Sequence, residues 1–254
     1  MSVFISGASS GIGEACARSF AAAHQDLVLV ARREVRLQEL AQELRTQFGV
    51  KVHTFGLDVR DRAKIEALAA AHAEIFEGVD VLVNNAGLAK GRDVIQNGKP
   101  EDWDLMIDTN LKGLLYVTRV FLPSMIKKKR GHIVNIGSVA GQWVYQSGNV
   151  YCASKFGVKA LSESLRYDLH GSGIRVTEVS PGMVKTEFSQ VRFEGDQEKA
   201  DAVYAGKTPL TAQDIADTVL WCVQRPAHVN IQEVVIFPTE QPSIHPTAFG
   251  VRPD

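Results

Sequence analysis

Cysteine is scarce: Cys16, Cys152 and Cys222 are the only three in 254 residues. The number is odd, the spacing is not that of a metal site, and a disulfide framework would be denser. Free thiols in a reducing compartment are expected. No apolar run approaches the roughly 18 residues that cross a bilayer. Met1 leads into the apolar run at Val3 without a basic segment, an apolar core and a small-residue cleavage site, so a cytoplasmic protein with no membrane partner is expected. Excess charge is lacking as well. The 28 basic and 29 acidic side chains leave a net charge of -1, which gives no electrostatic reason to expect nucleic acid. A small-molecule partner is favoured instead. There is no Pro-, Gly- or Ser-rich linker and no low-complexity tract, and 254 residues fit one α/β domain.

What the chain does contain is a repeating alternation. Short β-branched runs, "VFIS" (3–6), "LVLVA" (27–31), "VHTFGLDV" (52–59) and "VDVLVNN" (79–85), are separated by longer stretches of helical period. Such alternation implies parallel strands joined by helices. One helix is expected from about Asp61 to Phe76, and the stretch after Pro100 is long enough for two helices or one bent one. Further strands follow at "GHIVNIGS" (131–138), "IRVTEVS" (174–180) and "EVVIF" (233–237), with a helix near 211–224. That makes seven strands in one parallel sheet. A polar segment over about 184–208 is expected to be irregular, and the prolines after Pro238 suggest an extended C-terminal arm over about 238–254.

The first strand runs into "SGASSGIGEA", where Gly7, Gly11 and Gly13 precede a helix. Glycines there permit a tight turn and let a pyrophosphate approach the positive end of that helix. Nineteen residues beyond Gly13, Ala31, Arg32 and Arg33 stand where an NAD site usually places an acid for the ribose hydroxyls. Arginine at that point pairs with a 2'-phosphate, so NADP(H) is favoured as cofactor. Further on, "NVYCASKFG" (149–157) puts Tyr151 and Lys155 on one face of a helix. A fixed cation beside a phenol favours its ionised form.

Together, "SGASSGIG", "NNAG" (84–87), "NIGS" ending at Ser138, Tyr151 with Lys155, and "SPG" (180–182) resemble the short-chain dehydrogenase/reductase family over about residues 3–238. The resemblance implies a single-domain, Rossmann-type, doubly wound sheet with strand order 3-2-1-4-5-6-7, flanked by helices and usually assembled as homotetramers. It also implies a catalytic group of Asn110, Ser138, Tyr151 and Lys155. In it Tyr151 exchanges the alcohol proton, Ser138 bonds the reacting oxygen, Lys155 biases the phenol and reaches the nicotinamide ribose, and Asn110 holds a water linked to Lys155. The implied cofactor set adds Ser9, Ser10 and Ile12 in the glycine loop, Asp58 and Val59, then Asn84, Ala86 and Gly87, and finally Pro181, Gly182, Val184 and Thr186. One departure stands out. Many NADP-preferring members carry a basic residue just before the second glycine of the loop, where this chain has Ser10, so Arg32 and Arg33 must carry the preference and dual cofactor use stays open.

The second half also resembles the subgroup of 3-hydroxy acid (serine and allo-threonine) dehydrogenases, in "EDWDLMIDTNLKGLLYVTR", "SGNVY", "LRYDLHGSGIRVTEVSPGMV", "TEFSQVRF" and "PAHVNIQEV". That implies NADP-linked oxidation of a small 3-hydroxy acid to its semialdehyde or keto acid, or the reverse reduction. Trp143, Tyr145 and Gln146 would shape the pocket, and Arg192, in the segment expected to close over the substrate, would hold an acidic head group through its guanidinium fork. Two other readings remain open: a carbonyl reductase for another small aldehyde or ketone, sulfoacetaldehyde among them, and a non-catalytic sensor of NADP(H). A sensor need not keep both Tyr151 and Lys155.

Overall fold

The computed structural model describes residues 1–244; the last ten positions of the expected arm lie outside the described residues. Seven strands, β1 (Ser2–Ser6), β2 (Asp26–Ala31), β3 (Val52–Gly56), β4 (Val79–Asn84), β5 (Gly131–Ile136), β6 (Ile174–Pro181) and β7 (Glu233–Ile236), form one sheet in the order β3-β2-β1-β4-β5-β6-β7. Every neighbouring pair is parallel. The seven strands and their order agree with expectation.

The helices are α1 (Gly11–Ala22), α2 (Glu34–Phe48), α3 (Arg62–Ala71), α4 (Ala73–Glu77), α5 (Pro100–Ile107), α6 (Leu114–Lys128), α7 (Asn149–Asp168), α8 (Phe188–Arg192), α9 (Gln197–Ala202) and α10 (Ala212–Val223). Side chains alternate across the pleat. Val3, Ile5, Leu27 and Leu29 therefore enter the core under α1, α2 and α10, while Phe4, Val28 and Val30 enter the other, against Phe76 of α4 and Val117, Phe121 and Met125 of α6. Helices on both faces explain why the central strands are apolar on both sides.

Two local expectations needed adjustment. The helix from Asp61 is broken at His72, which ends α3 and precedes α4. The segment expected to be irregular carries α8 and α9, braced by the Tyr204 hydroxyl, which sits 2.7 Å from Ser189 Oγ and donates to the Val184 carbonyl at 3.0 Å. The stretch after Pro100 is one continuous helical run. Between α5 and α6 the chain makes a wide helical turn, Asp108–Gly113, of the kind that widens a helix by a residue. Among the described residues no helix is long and apolar enough to cross a membrane.

Candidate active site

The chain from β1 leads to β2 on one side, and the sheet continues from β1 to β4 on the other. Beside β1 the order therefore reverses, and a crevice opens at the carboxyl ends of the strands. Its floor is the glycine loop. Gly7 and Gly11 hold positive φ of 67° and 57°, and a Cβ on Gly13 would lie 2.4 Å from the Gly7 carbonyl oxygen. No other residue fits at Gly13, so α1 starts hard against the end of β1. Ser10 occupies the cap position of α1 without a side-chain cap bond, which leaves the leading N–H groups of the helix for an anion.

At one end of the crevice lie the two arginines. Arg33 Nε donates to Ser9 Oγ at 3.2 Å and Nη2 to Ser10 Oγ at 2.5 Å. The guanidinium thus leans over the loop position where a basic residue is missing. Arg32 lines the same wall. Asp58 also lines it, with its carboxyl held below the usual range chiefly by hydrogen bonding to Arg60, 2.6 Å away.

Of the residues expected on the adenosine side, Ala86 and Gly87 line the crevice and Asn84 does not. Asn84 Nδ2 donates to Thr118 Oγ1 and Asn135 Oδ1, both at 2.9 Å, inside the core. Asn85 takes its place on the wall: its Nδ2 donates to the Ser6 carbonyl at 2.9 Å, while Ser6 Oγ accepts from the backbone N–H of Asn85 and Ala86, both at 3.0 Å. The expectation moves by one residue. Gly13 also lies behind the loop rather than on the lining.

Of the expected catalytic group, Ser138, Tyr151 and Lys155 line the crevice and Asn110 does not. Ser138 caps a short turn at the end of β5, its Oγ accepting from the Ala140 N–H at 3.1 Å, and its hydroxyl hydrogen-bonds the Tyr151 phenol. Lys155 follows one turn later on α7, with Nζ donating to the Ile136 carbonyl at 2.9 Å. Burial lowers the Lys155 ammonium to about 8, against the opposing pull of the Glu178 carboxylate. Burial also pushes the Tyr151 phenol well above the usual range, with the Ser138 bond and Arg192 acting the other way. Tyr151 is therefore protonated at neutral pH, and Arg192 is the cation that favours its ionised form.

Asn110 sits in the wide turn. Its Oδ1 accepts from the Leu88 N–H at 2.8 Å, and its Nδ2 donates to the Leu88 carbonyl at 2.8 Å and to Ser154 Oγ at 3.0 Å. Ser154 Oγ donates in turn to the Tyr151 carbonyl at 2.8 Å. Asn110 therefore locks the loop after β4 onto α7. Asn110 and Lys155 both approach Gly87: a Cβ there would stand 3.2 Å from Asn110 Oδ1 and 3.6 Å from Lys155 Nζ.

At the far end, Arg192 closes α8 against the loop after β4. Its Nε donates to the Gly91 carbonyl at 3.0 Å, its own carbonyl accepts from the Gly91 N–H at 3.1 Å, and its Nη2 donates to the Tyr145 hydroxyl at 2.9 Å. The guanidinium carbon lies 5.7 Å from the centre of the Tyr145 ring and 5.8 Å from that of Tyr151. Beside it, Glu194 bridges Lys90 and Lys99 at 3.7 and 3.8 Å. Of the residues expected in the pocket, Trp143, Tyr145, Gln146 and Arg192 all stand off the crevice lining; Trp143 and Gln146 are exposed, and the Trp143 ring faces Phe237 at 6.0 Å. Residues the sequence did not single out include Leu88, Thr109, Gly137, Glu187 and Phe188, all on the lining. They are apolar or commonplace, and only Glu187 carries a charge that could have drawn notice.

Residues 1–197 match the family model described as short chain dehydrogenase. The chain is 49% identical over 242 residues, 95% of it and 96% of the relative, to the NADP-dependent 3-hydroxy acid dehydrogenase YdfG of Salmonella typhi. It is also 49% identical over 240 residues, 94% of each chain, to sulfoacetaldehyde reductase 2 of Chromohalobacter salexigens. Among solved structures, the closed form of serine dehydrogenase complexed with NADP+ superimposes with a TM-score of 0.90 at 43% identity, covering 100% of this chain and 99% of that one.

Proposed function

The chain belongs to the short chain dehydrogenase family, and from that premise we propose that it is an NADP-dependent oxidoreductase interconverting a small 3-hydroxy acid and its semialdehyde or keto acid. The observation that carries this reading is Arg192, a guanidinium held 5.8 Å from the Tyr151 ring, because it places an anion-binding fork beside the candidate acid/base. The residues fit NADP(H). Gly13 admits no Cβ, α1 offers uncapped N–H groups for a pyrophosphate, and Arg32, which makes no hydrogen bond or ion pair among the described residues, stands ready for a 2'-phosphate. The glycine loop, Asp58, Ala86, Gly87, Pro181, Gly182, Val184 and Thr186 would hold the cofactor, which when bound supplies or accepts the hydride.

The chain's own residues do the rest. In reduction, the protonated Tyr151 phenol gives its proton to the carbonyl oxygen, which Ser138 bonds at the same time; in oxidation the phenolate takes that proton back. Arg192 favours the ionised phenol, and the Lys155 ammonium would hold the nicotinamide ribose. Asn110 fixes the loop that shapes the site, and the segment of about 184–208 closes it from water. Arg192 binds the substrate carboxylate with the part of its fork that Gly91 and Tyr145 leave free.

A sulfonate presents the same acceptor geometry to that fork, and a relative at 49% identity is a sulfoacetaldehyde reductase, so reduction of a sulfonated aldehyde is the second reading. Initial rates with L-serine, L-allo-threonine and 3-hydroxypropionate against NADP+, beside a panel of aldehydes with NADPH, decide between them. Turnover confined to the aldehydes would replace the first reading by the second. A sensor without turnover is disfavoured by the convergence of Ser138, Tyr151 and Lys155.

The same reading treats the chain as one catalytic domain of a cytoplasmic homotetramer. Supporting the assembly are the open sheet edge at β7, where Val235 is 41% exposed, and apolar side chains on outer helix faces, Leu115, Phe156 and Trp221.

A further inference from the structure

Glu187 follows Thr186 directly and takes two arginines at once. Its Oε2 accepts from Arg33 Nη1 and its Oε1 from Arg36 Nη1, each at 2.7 Å. The two guanidinium groups, Arg36 foremost, hold its carboxyl below the usual range. This contact ties the segment after β6 to the start of α2, across the end of the crevice where Arg33 also reaches Ser9 and Ser10. All three nitrogens of the Arg33 fork are then in use: Nε on Ser9, Nη2 on Ser10 and Nη1 on Glu187.

A phosphate and a carboxylate ask the same thing of a guanidinium, parallel N–H donors and positive charge. A 2'-phosphate that reaches Arg33 must displace one of its partners, and the one that carries like charge is Glu187. We propose that Glu187 is a specificity-determining residue which competes with the 2'-phosphate of NADP(H) for Arg33. The proposal rests on NADP(H) being the cofactor. Arg32 receives the phosphate first, and Arg33 joins it only by giving up Glu187. Side-chain exposures of 42% for Arg33, 49% for Arg36 and 39% for Glu187 make these weak, reversible ion pairs. Glu187 therefore grades the preference for the phosphate rather than blocking it. The next residue begins α8, which ends on Arg192, so the exchange also frees the near end of the segment that carries the substrate anchor. NAD(H), lacking the phosphate, leaves Glu187 in place.

The test is calorimetric titration of the full chain with 2',5'-ADP and with 5'-ADP, for wild type, Glu187→Gln and Glu187→Ala. Both variants are expected to bind 2',5'-ADP about fivefold more tightly, with 5'-ADP affinity changing less than about twofold. Unchanged or weaker 2',5'-ADP binding in both variants overturns the proposal, as does equal tightening toward both ligands. A wild-type protein that did not prefer 2',5'-ADP over 5'-ADP would instead overturn the cofactor assignment, and the proposal with it.

Discussion

Replacing Arg192 by alanine separates the latch that the structure shows from the anion binding proposed for the same side chain. The guanidinium latches α8 to the loop after β4 through the Gly91 carbonyl at 3.0 Å, reaches Tyr145 at 2.9 Å, and lies 5.8 Å from the centre of the Tyr151 ring. Losing the latch removes charge-assisted hydrogen bonds, each contributing about 1.5–3 kcal/mol, and this penalty falls on any substrate. Losing the charged fork leaves a substrate carboxylate without its partner in a site closed to water, a cost of about 2–4 kcal/mol. At about 1.4 kcal/mol per tenfold, kcat/KM for 3-hydroxypropionate should drop roughly 30- to 1000-fold beyond the loss seen with an uncharged alcohol of similar size. Most of that difference should be in KM. The assay is initial-rate NADP+ reduction with both substrates for wild type, Arg192→Ala and Arg192→Lys. Lysine keeps the charge without the fork, so it should fall between. If both substrates lose equally in Arg192→Ala, the residue is a latch only and the anion-binding assignment is refuted.

Two pH dependences follow. On the proposed mechanism aldehyde reduction needs a protonated Tyr151 and a charged Lys155, and burial sets the latter near 8; kcat/KM for reduction should be flat at lower pH and decline through about pH 8. A profile level to pH 10 would show that the Lys155 charge is not needed. His132 is 2% exposed, its Nε2 lies 2.8 Å from Thr177 Oγ1, and burial lowers its pKa from 6.5 to about 3. Because the folded value is depressed, the unfolded chain binds the proton first. The neutral ring's contribution is full above pH 6.5 and is lost as pH falls toward 3. Between pH 7 and 5 this amounts to about 2 kcal/mol, measurable as a falling urea midpoint that is flatter in His132→Gln. Equal slopes in the two proteins would refute the assignment.

Most of the architecture was legible because the strands' alternation with helices survives in the residue pattern, and parallel strands buried on both faces read as continuous apolar runs. That same burial hides direction. Asn84 and Asn85 are adjacent and equally polar, and only the packed structure shows that Asn84 turns into the core while Asn85 faces the crevice. The short helices α8 and α9 are below the length at which a helix forms by its own propensity; Asp196, accepting from the Lys199 N–H at 3.1 Å, and the Tyr204 brace hold them. Glu187 was opaque for a related reason. Its partners lie more than 150 residues away in sequence, so a local reading sees one more charge on a polar loop. Tyr151, Lys155 and Ser138 were legible because four-residue helical spacing and the strand end fix where they point.

The most direct test of the central claim is the rate of NADPH formation from 3-hydroxypropionate by wild type and by Tyr151→Phe, with NADPH binding measured alongside. The change removes the one hydroxyl that carries the proton and leaves the cofactor crevice intact. Turnover by wild type, its loss by at least about a hundredfold in the variant and retained NADPH binding are the expected result. Near-normal turnover by Tyr151→Phe would contradict the mechanism, and a wild type inert toward every hydroxy acid would contradict the substrate.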